Sequence, residues 1–362
     1  MARSYVFLVH GVGKHPAGTW ADSWKSSLIK ELQRYAPYRN LTPTQIESEV
    51  IAFRPISYDS VFEGYRHRWG KLAGALNDAD IIDNGAVKDA IEWVAGHDDT
   101  DDKVKRLFWD KALDVLLWMA FPEARAAVVA TVNKQLVDGL IEMRKENGPR
   151  DSAHIMAHSL GTSVVHDSVL CLEAADRVHD GSFDARRFRW DSLFMIANTS
   201  HALEPRQSVS DDLDTSDFDV YTSDIRPGFS TSVCRSYFNV RHVADPITWV
   251  RRFDAAGRWP SDPYLNIEVV RYDELPNVHN LTDYVAAPQV HLNLFRKLLG
   301  DSRLGDDDEI DSALADHART HPRQAATEFD NLRRMLGGDF EKQLTPRELV
   351  AFLIEVYKEV KT

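Results

Sequence analysis

The chain has 362 residues, of which 43% are hydrophobic and 27% charged. That length and composition suffice to bury a large core without disulfide staples, and they exclude a fibrous repeat and wholesale disorder. Acidic residues outnumber basic residues 56 to 43, for a formal net charge of -13. This balance argues against a broad nucleic-acid-binding surface, because such a surface is cationic.

The cysteine content and the hydropathy exclude further classes of protein. Only Cys171 and Cys234 occur, and neither belongs to a C-x-x-C pair, so we read no thiolate zinc site and no redox dithiol. A reducing cytoplasm is the expected location. The longest apolar region, residues 107–121, is interrupted by charged side chains and is shorter than the roughly 20 residues of a membrane span, so we predict no transmembrane segment.

The first elements in chain order are a strand, a helix and a second strand. Residues 5–9 form a β-branched and aromatic run that ends at glycines, which is typical of a central buried strand. Apolar residues spaced by three and four predict a helix over 19–35. The segment 48–53, in which Val50, Ile51 and Phe53 come just before Pro55, predicts the next strand.

Between residues 57 and 149 the pattern is purely helical. Helices are predicted at 65–76, 87–94, 103–119 and 123–145, and we interpret them as a cap or lid inserted between strands. The acidic string at 97–102 is more typical of a solvated turn than of a metal site.

Strand patterns return at 153–157, 192–197, 237–243 and 265–272, separated by segments of crossover length. Strands alternating with helices predict a parallel sheet with both faces covered. The polar segment 199–235 is expected to form a loop at the rim of a site. After residue 300, an acidic patch at 306–309 precedes helices, the last of which starts at the capping box Thr345-Pro346-Arg347-Glu348.

The most specific motif is Ala157-His158-Ser159-Leu160-Gly161, at the point where a predicted strand turns into a predicted helix. Small residues two before and two after a serine suit a tight strand-to-helix turn that exposes the hydroxyl. This motif resembles the nucleophile elbow of the α/β-hydrolase superfamily, with alanine in place of the first glycine.

A second motif, His10-Gly11-Val12-Gly13, follows the first predicted strand and is similar to the loop that supplies an oxyanion-hole amide in that superfamily. The resemblance implies that the amides of Val12 and Leu160 stabilise the oxyanion. His10, Gly11 and His158 are expected to order the loop or line the pocket, and neither histidine is expected to be the general base.

The resemblance also implies an acid and then a histidine downstream of the serine. Asp245 ends the strand pattern at 237–243 and precedes a proline, and His279 lies in the loop after the following strand. We therefore predict Ser159, His279 and Asp245 as a catalytic triad. His291, inside a predicted helix at 289–299, is the competing base; taken singly, Asp245 could also be a turn cap and His279 a surface residue.

The resemblance covers residues 5–56 and 150–299. It implies an α/β fold class, with a mostly parallel sheet of the α/β-hydrolase type, helices on both faces, and residues 1–56 and 150–299 as the core. Residues 57–149 are the predicted inserted cap, and residues 300–362 a helical C-terminal extension.

The implied function is that of a serine esterase or lipase that cleaves a small-molecule or lipid ester through an acyl-enzyme, with no metal and no organic cofactor. Peripheral lipid contact through the apolar cap, and amide, thioester or peptide substrates, stay open. The alternatives are a non-catalytic module that binds a protein partner and a haloperoxidase-like or lyase use of the same scaffold.

Overall fold

The computed structural model describes residues 3–13, 15, 19–76, 114–115, 117–119, 121–147, 152–174, 188–203, 225–228, 232–243, 245–249, 252–256, 259–269 and 279–320. Several predicted features lie outside these residues. They are the helix at 87–94, the acidic string at 97–102, most of the helix at 103–119, the middle of the segment 199–235 and the capped helix after Thr345.

A six-stranded parallel sheet forms the centre of the molecule. Its strands are β1 (Ser4–Val9), β2 (Ile51–Ile56), β3 (Ala153–His158), β4 (Trp190–Ile196), β5 (Cys234–His242) and β6 (Tyr264–Val269). They lie in the order β2-β1-β3-β4-β5-β6, and every neighbouring pair is parallel. The predicted α/β class with a parallel sheet is therefore confirmed.

The described helices are α1 (Trp20–Leu32), α2 (Pro43–Gln45), α3 (Asp59–Leu76), α4 (Pro122–Asn147), α5 (Leu160–Ala174), α6 (Leu281–Ala286), α7 (Pro288–Leu299) and α8 (Asp307–Thr320). Helices α1, α4 and α7 agree with the predictions to within three residues at each end. Helix α8 confirms that helical structure follows residue 300.

The start of β2 differs from the prediction of a strand beginning at residue 48. Thr42 and Gln45 form a capping box, and the short helix that they begin continues as a π-helical turn, Ile46–Val50. This turn buries Ile46 and Val50, so their side chains are already packed before the strand begins at Ile51. The capping box is visible in the sequence and accounts for the shift.

Alternate residues of the strands face two separate apolar layers. Along β1, Tyr5, Phe7 and Val9 belong to a layer that includes α3, α4 and α5. Val6 and Leu8 belong to the opposite layer, which includes α1, α6, α7 and the start of α8. Because successive side chains of a strand point to opposite faces, this division places helices on both sides of the sheet.

Helix α4 packs closely against the sheet. A Cβ atom added at Gly139 would lie 2.5 Å from the Phe7 ring, so glycine is required where this helix meets β1. Helices α3 and α4, both in the segment predicted as a cap, thus contribute to the layer over the sheet. The division into core, cap and C-terminal extension stays a prediction, because much of residues 57–149 and 300–362 lies outside the described ranges.

The direction in which the connections run along the sheet changes between β1 and β3. The chain leaves β1 through α1, on one face, to reach β2, and it leaves β3 through α5, on the other face, to reach β4. At such a switch point the two connections diverge and leave a gap at the carboxyl ends of the strands, where ligands bind in open α/β sheets.

Among the described helices, none combines the length and apolarity needed to cross a membrane.

Candidate active site

Ser159 lies at the carboxyl end of β3, directly before α5, and its backbone is left-handed with φ 55°. A serine rarely adopts this conformation, which costs about 1 kcal/mol or more and persists only where the surroundings enforce it. The Ser159 amide donates to the Ile196 carbonyl at 3.0 Å. The hydroxyls of Thr162 and Thr199 donate to the Ser159 carbonyl at 2.7 and 2.9 Å. These bonds hold the strained turn in place.

Two glycines allow the β1 loop to approach this turn. A Cβ atom at Gly161 would lie 2.3 Å from the His10 carbonyl oxygen and 2.7 Å from the Val9 carbonyl oxygen. One at Gly11 would lie 2.8 Å from the Ser159 Cβ atom. Both contacts are shorter than non-bonded atoms tolerate, so the elbow and the loop meet only because neither glycine has a side chain.

The structure brings Ser159, His279 and Asp245 into one hydrogen-bonded chain, although they come from loops after three different strands. His279 Nε2 lies 2.9 Å from Ser159 Oγ, and His279 Nδ1 lies 2.6 Å from Asp245 Oδ2. A carboxylate only accepts hydrogen bonds, so Nδ1 carries the proton and Nε2 is free to accept the serine proton. The Ser159 side chain is buried, and the His279 side chain is 22% exposed.

Asp245 is fully buried and is held by further donors. The Tyr284 hydroxyl donates to Asp245 Oδ2 at 2.7 Å, and the Ile247 amide donates to Oδ1 at 3.1 Å. The same tyrosine oxygen accepts the His242 amide at 3.0 Å. Burial beside a carboxylate raises the pKa of Tyr284 well above its ordinary value, so the hydroxyl keeps the proton that it donates. These bonds fix the side chain that orients His279.

His291 lies elsewhere. It is buried in α7, where Nδ1 contacts the Val285 carbonyl at 3.1 Å and lies 3.7 Å from a Glu31 oxygen. Its ring packs against Tyr35 and Phe295 in the layer that contains α1. Among the two candidate histidines, only His279 is in contact with the serine and the aspartate.

The loop after β1, which includes Val12, approaches Ser159 at Gly11 and is tied to the rest of the structure. The Gly13 amide, at φ 110°, donates to Asp114 Oδ2 at 2.9 Å, and Asp114 also pairs with Arg66 of α3. Burial raises the pKa of Asp114 to about 7, against the opposing effects of Arg66 and the Gly13 amide. On the other side, the Leu160 amide is the first of α5 and has no intrahelical carbonyl to bond.

The remaining predicted residues lie next to this centre. His10 is wholly buried between the rings of Tyr58 and His15, with centroids 4.2 and 4.0 Å away. Burial lowers the pKa of His10 to about 4, so its imidazole is neutral at pH 7. The ring of His158 lies 4.8 Å from that of His279. Within the described residues, the histidine that lies within hydrogen-bond distance of the Ser159 hydroxyl is His279. That neither His10 nor His158 is the general base stays a prediction.

Three supporting residues did not emerge from the sequence: Thr199, Asp114 and Tyr284. Thr199 and Tyr284 follow predicted strands, as site residues do, but nothing local distinguishes them from other polar loop and helix residues. Asp114 is more than a hundred positions from Gly13, and only the fold brings the two together.

Comparison of the chain with protein-family models and with curated proteins gives no match.

Proposed function

We propose that the protein is a serine hydrolase of the α/β-hydrolase kind that cleaves carboxylic esters through an acyl-enzyme on Ser159. The observation that carries the proposal is the hydrogen-bonded chain from Ser159 through His279 to Asp245, at 2.9 and 2.6 Å. The parallel sheet is compatible with that superfamily. The strained backbone at Ser159 is an additional support, because such strain concentrates at functional sites.

In the proposed mechanism, His279 Nε2 takes the Ser159 hydroxyl proton while Oγ attacks the acyl carbonyl. Asp245 stabilises the imidazolium that forms, and the amides of Val12 and Leu160 stabilise the developing oxyanion. Each such donor is worth about 3 to 4 kcal/mol in transition-state stabilisation. His279 then returns the proton to the leaving alkoxide, and a water molecule activated by the same histidine hydrolyses the acyl-enzyme.

The apolar residues between 108 and 121, in the predicted cap, could form either a lipid-binding face or part of the core, and the packing of those that are described favours a general ester substrate over a lipid. Leu117 and Trp118 are buried, and Met119 and Phe121 pack against the layer that covers the sheet. Side chains used in this packing are not available to contact lipid. Phe108, Trp109 and Leu116 of the same group lie outside the described residues.

Hydrolysis of p-nitrophenyl esters with acyl chains of two to sixteen carbons tests the proposal. We expect turnover by the wild type, and a loss of at least a thousandfold in kcat in Ser159→Ala and in His279→Ala. Ser23→Ala, at an exposed serine of α1, is the control and retains full activity.

A fluorophosphonate probe labels the activated serine and gives a second readout that needs no knowledge of the substrate. Labelling of the wild type and of Ser23→Ala, but not of Ser159→Ala, supports an activated Ser159. Absence of both turnover and labelling in the folded wild type would overturn the proposal and favour the partner-binding alternative.

A further inference from the structure

Three side chains beside the proposed catalytic centre form a separate cluster. His10 and His15 lie on either side of the loop 11–13, and Asp59 begins α3. One nitrogen from each histidine and one oxygen from the aspartate lie within 4.8 Å of one another. His279 and Asp245 are not members of this cluster, and the proposed ester hydrolysis does not use it.

The distances within the cluster suit ligands of one ion better than direct hydrogen bonds. Asp59 Oδ1 lies 3.5 Å from His10 Nε2 and 3.5 Å from His15 Nδ1. Good N–H···O bonds have separations of about 2.7 to 3.2 Å. Two ligand atoms of a tetrahedral site with bonds of about 2.0 to 2.1 Å lie about 3.3 Å apart.

The proton positions strengthen this reading. His10 Nδ1 lies 2.9 Å from the Gly11 carbonyl oxygen, which can only accept, so Nδ1 carries the ring proton. The lone pair of Nε2 then faces the Asp59 carboxylate, and within the described part of the chain this buried nitrogen has no hydrogen-bond partner. Two electron-pair donors that face each other repel unless a cation lies between them.

We propose that His10, His15 and Asp59 bind one divalent transition-metal ion, with Zn²⁺ the best match, and leave a fourth position for water. Two imidazole nitrogens and one carboxylate oxygen suit zinc and its neighbours, whereas Mg²⁺ and Ca²⁺ prefer oxygen ligands alone.

The surroundings of the three ligands fit this assignment. Metal-binding histidines usually donate their second ring N–H to a carbonyl or carboxylate, as His10 does to Gly11. The second Asp59 oxygen accepts the His15 amide at 2.7 Å, which orients the carboxylate. The His15 side chain is 22% exposed, so the cluster borders solvent.

An ion at this position joins both ends of the loop 11–13 to the start of α3. Such a link restricts the backbone around Val12, and a fixed amide at Val12 benefits the proposed oxyanion hole. This consequence rests on the proposed function; the metal site itself does not.

The test uses the full chain, free of any histidine tag, stripped of metal with a chelator and titrated with ZnCl₂ in competition with a chromophoric chelator. We expect one Zn²⁺ bound per chain in the wild type, at least tenfold weaker binding in His15→Ala and in Asp59→Asn, and unchanged binding in His67→Ala. His67 is an exposed histidine of α3 and serves as the matched control. His10→Ala is avoided because His10 is fully buried.

Two further readouts separate specific binding from adventitious binding. Co²⁺ in place of Zn²⁺ gives visible absorption bands characteristic of a four-coordinate site in the wild type, and His15→Ala lacks them. Zn²⁺ raises the Tm of the wild type by a few degrees and leaves that of His15→Ala unchanged. Absence of stoichiometric binding in the wild type, or equal binding in folded His15→Ala, overturns the proposal. Neither readout depends on ester hydrolysis, and parallel fluorophosphonate labelling reports the proposed function separately.

Discussion

Substitution of Gly161 by alanine tests how closely the serine turn packs against β1. The added methyl group would lie 2.3 Å from the His10 carbonyl oxygen, about 1 Å closer than an ordinary contact of about 3.4 Å. The atoms that the methyl group meets are backbone atoms at the end of β1, so the strain cannot be relieved by rotating a side chain. Overpacking of this kind costs about 1 to 3 kcal/mol, and we expect Gly161→Ala to lose about 3 kcal/mol in the free energy of unfolding.

To make room for the methyl group, the loop that carries Val12 must move away from Ser159 by about 1 Å. A misplacement of that size costs about a hundredfold in rate where geometry is catalytic, so we expect kcat/KM for p-nitrophenyl butyrate to fall by about that factor. Urea denaturation measures the stability loss, and ester hydrolysis and fluorophosphonate labelling measure the effect on the site.

Gly64→Ala is the matched control for this substitution. Gly64 lies in α3, where the nearest atom to an added Cβ is the end of the Arg68 side chain at 3.9 Å. Alanine there removes only the helix penalty of glycine, so this variant gains about 0.5 to 1 kcal/mol. If Gly161→Ala were as stable and as reactive as the wild type, the inference that the serine turn packs closely against the end of β1 would be refuted.

Three further predictions concern buried polar groups. Tyr284→Phe removes the hydroxyl bonded to Asp245, and we expect a loss of about 2 kcal/mol in the free energy of unfolding and about tenfold in kcat, with little change in KM. An unchanged kcat in the variant would contradict this role. Asp114→Ala removes the acceptor of the Gly13 amide and the partner of Arg66, and urea denaturation should show a loss of about 3 kcal/mol, whereas a loss below about 1 kcal/mol would refute the importance of this buried pair. Burial lowers the pKa of His154 to about 3, whereas its pKa in the unfolded chain is about 6.5. Between about pH 6.5 and about pH 3 the unfolded chain therefore binds a proton that the folded protein does not, and the free energy of unfolding falls as the pH drops. From pH 7 to pH 5 this histidine accounts for about 2 kcal/mol of lost stability, which His154→Asn should abolish; equal slopes in variant and wild type would exclude it.

The local signals in the sequence were sufficient for the sheet and its flanking helices. The apolar run at 5–9 and the largely apolar segment at 153–157 predict buried strands, and helical spacing over 19–35 and 123–145 predicts helices that the structure confirms. The elbow at Ser159 was also visible, because a strand-to-helix turn needs small residues at fixed positions. Such features depend on neighbours within a few residues, which is why the sequence carries them.

The sequence order of Ser159, Asp245 and His279 indicated where each would lie, since parallel strands bring their carboxyl ends to one edge. Only the tertiary structure decided the contacts between them, and that His279 rather than His291 meets the serine, because the side-chain positions depend on how α6 and α7 pack. The roles of Tyr284 and Asp114 and the grouping of His10, His15 and Asp59 were likewise inaccessible from sequence. In each of these cases, residues that are far apart along the chain come into contact from separate elements. No pattern among neighbouring residues encodes such a long-range contact.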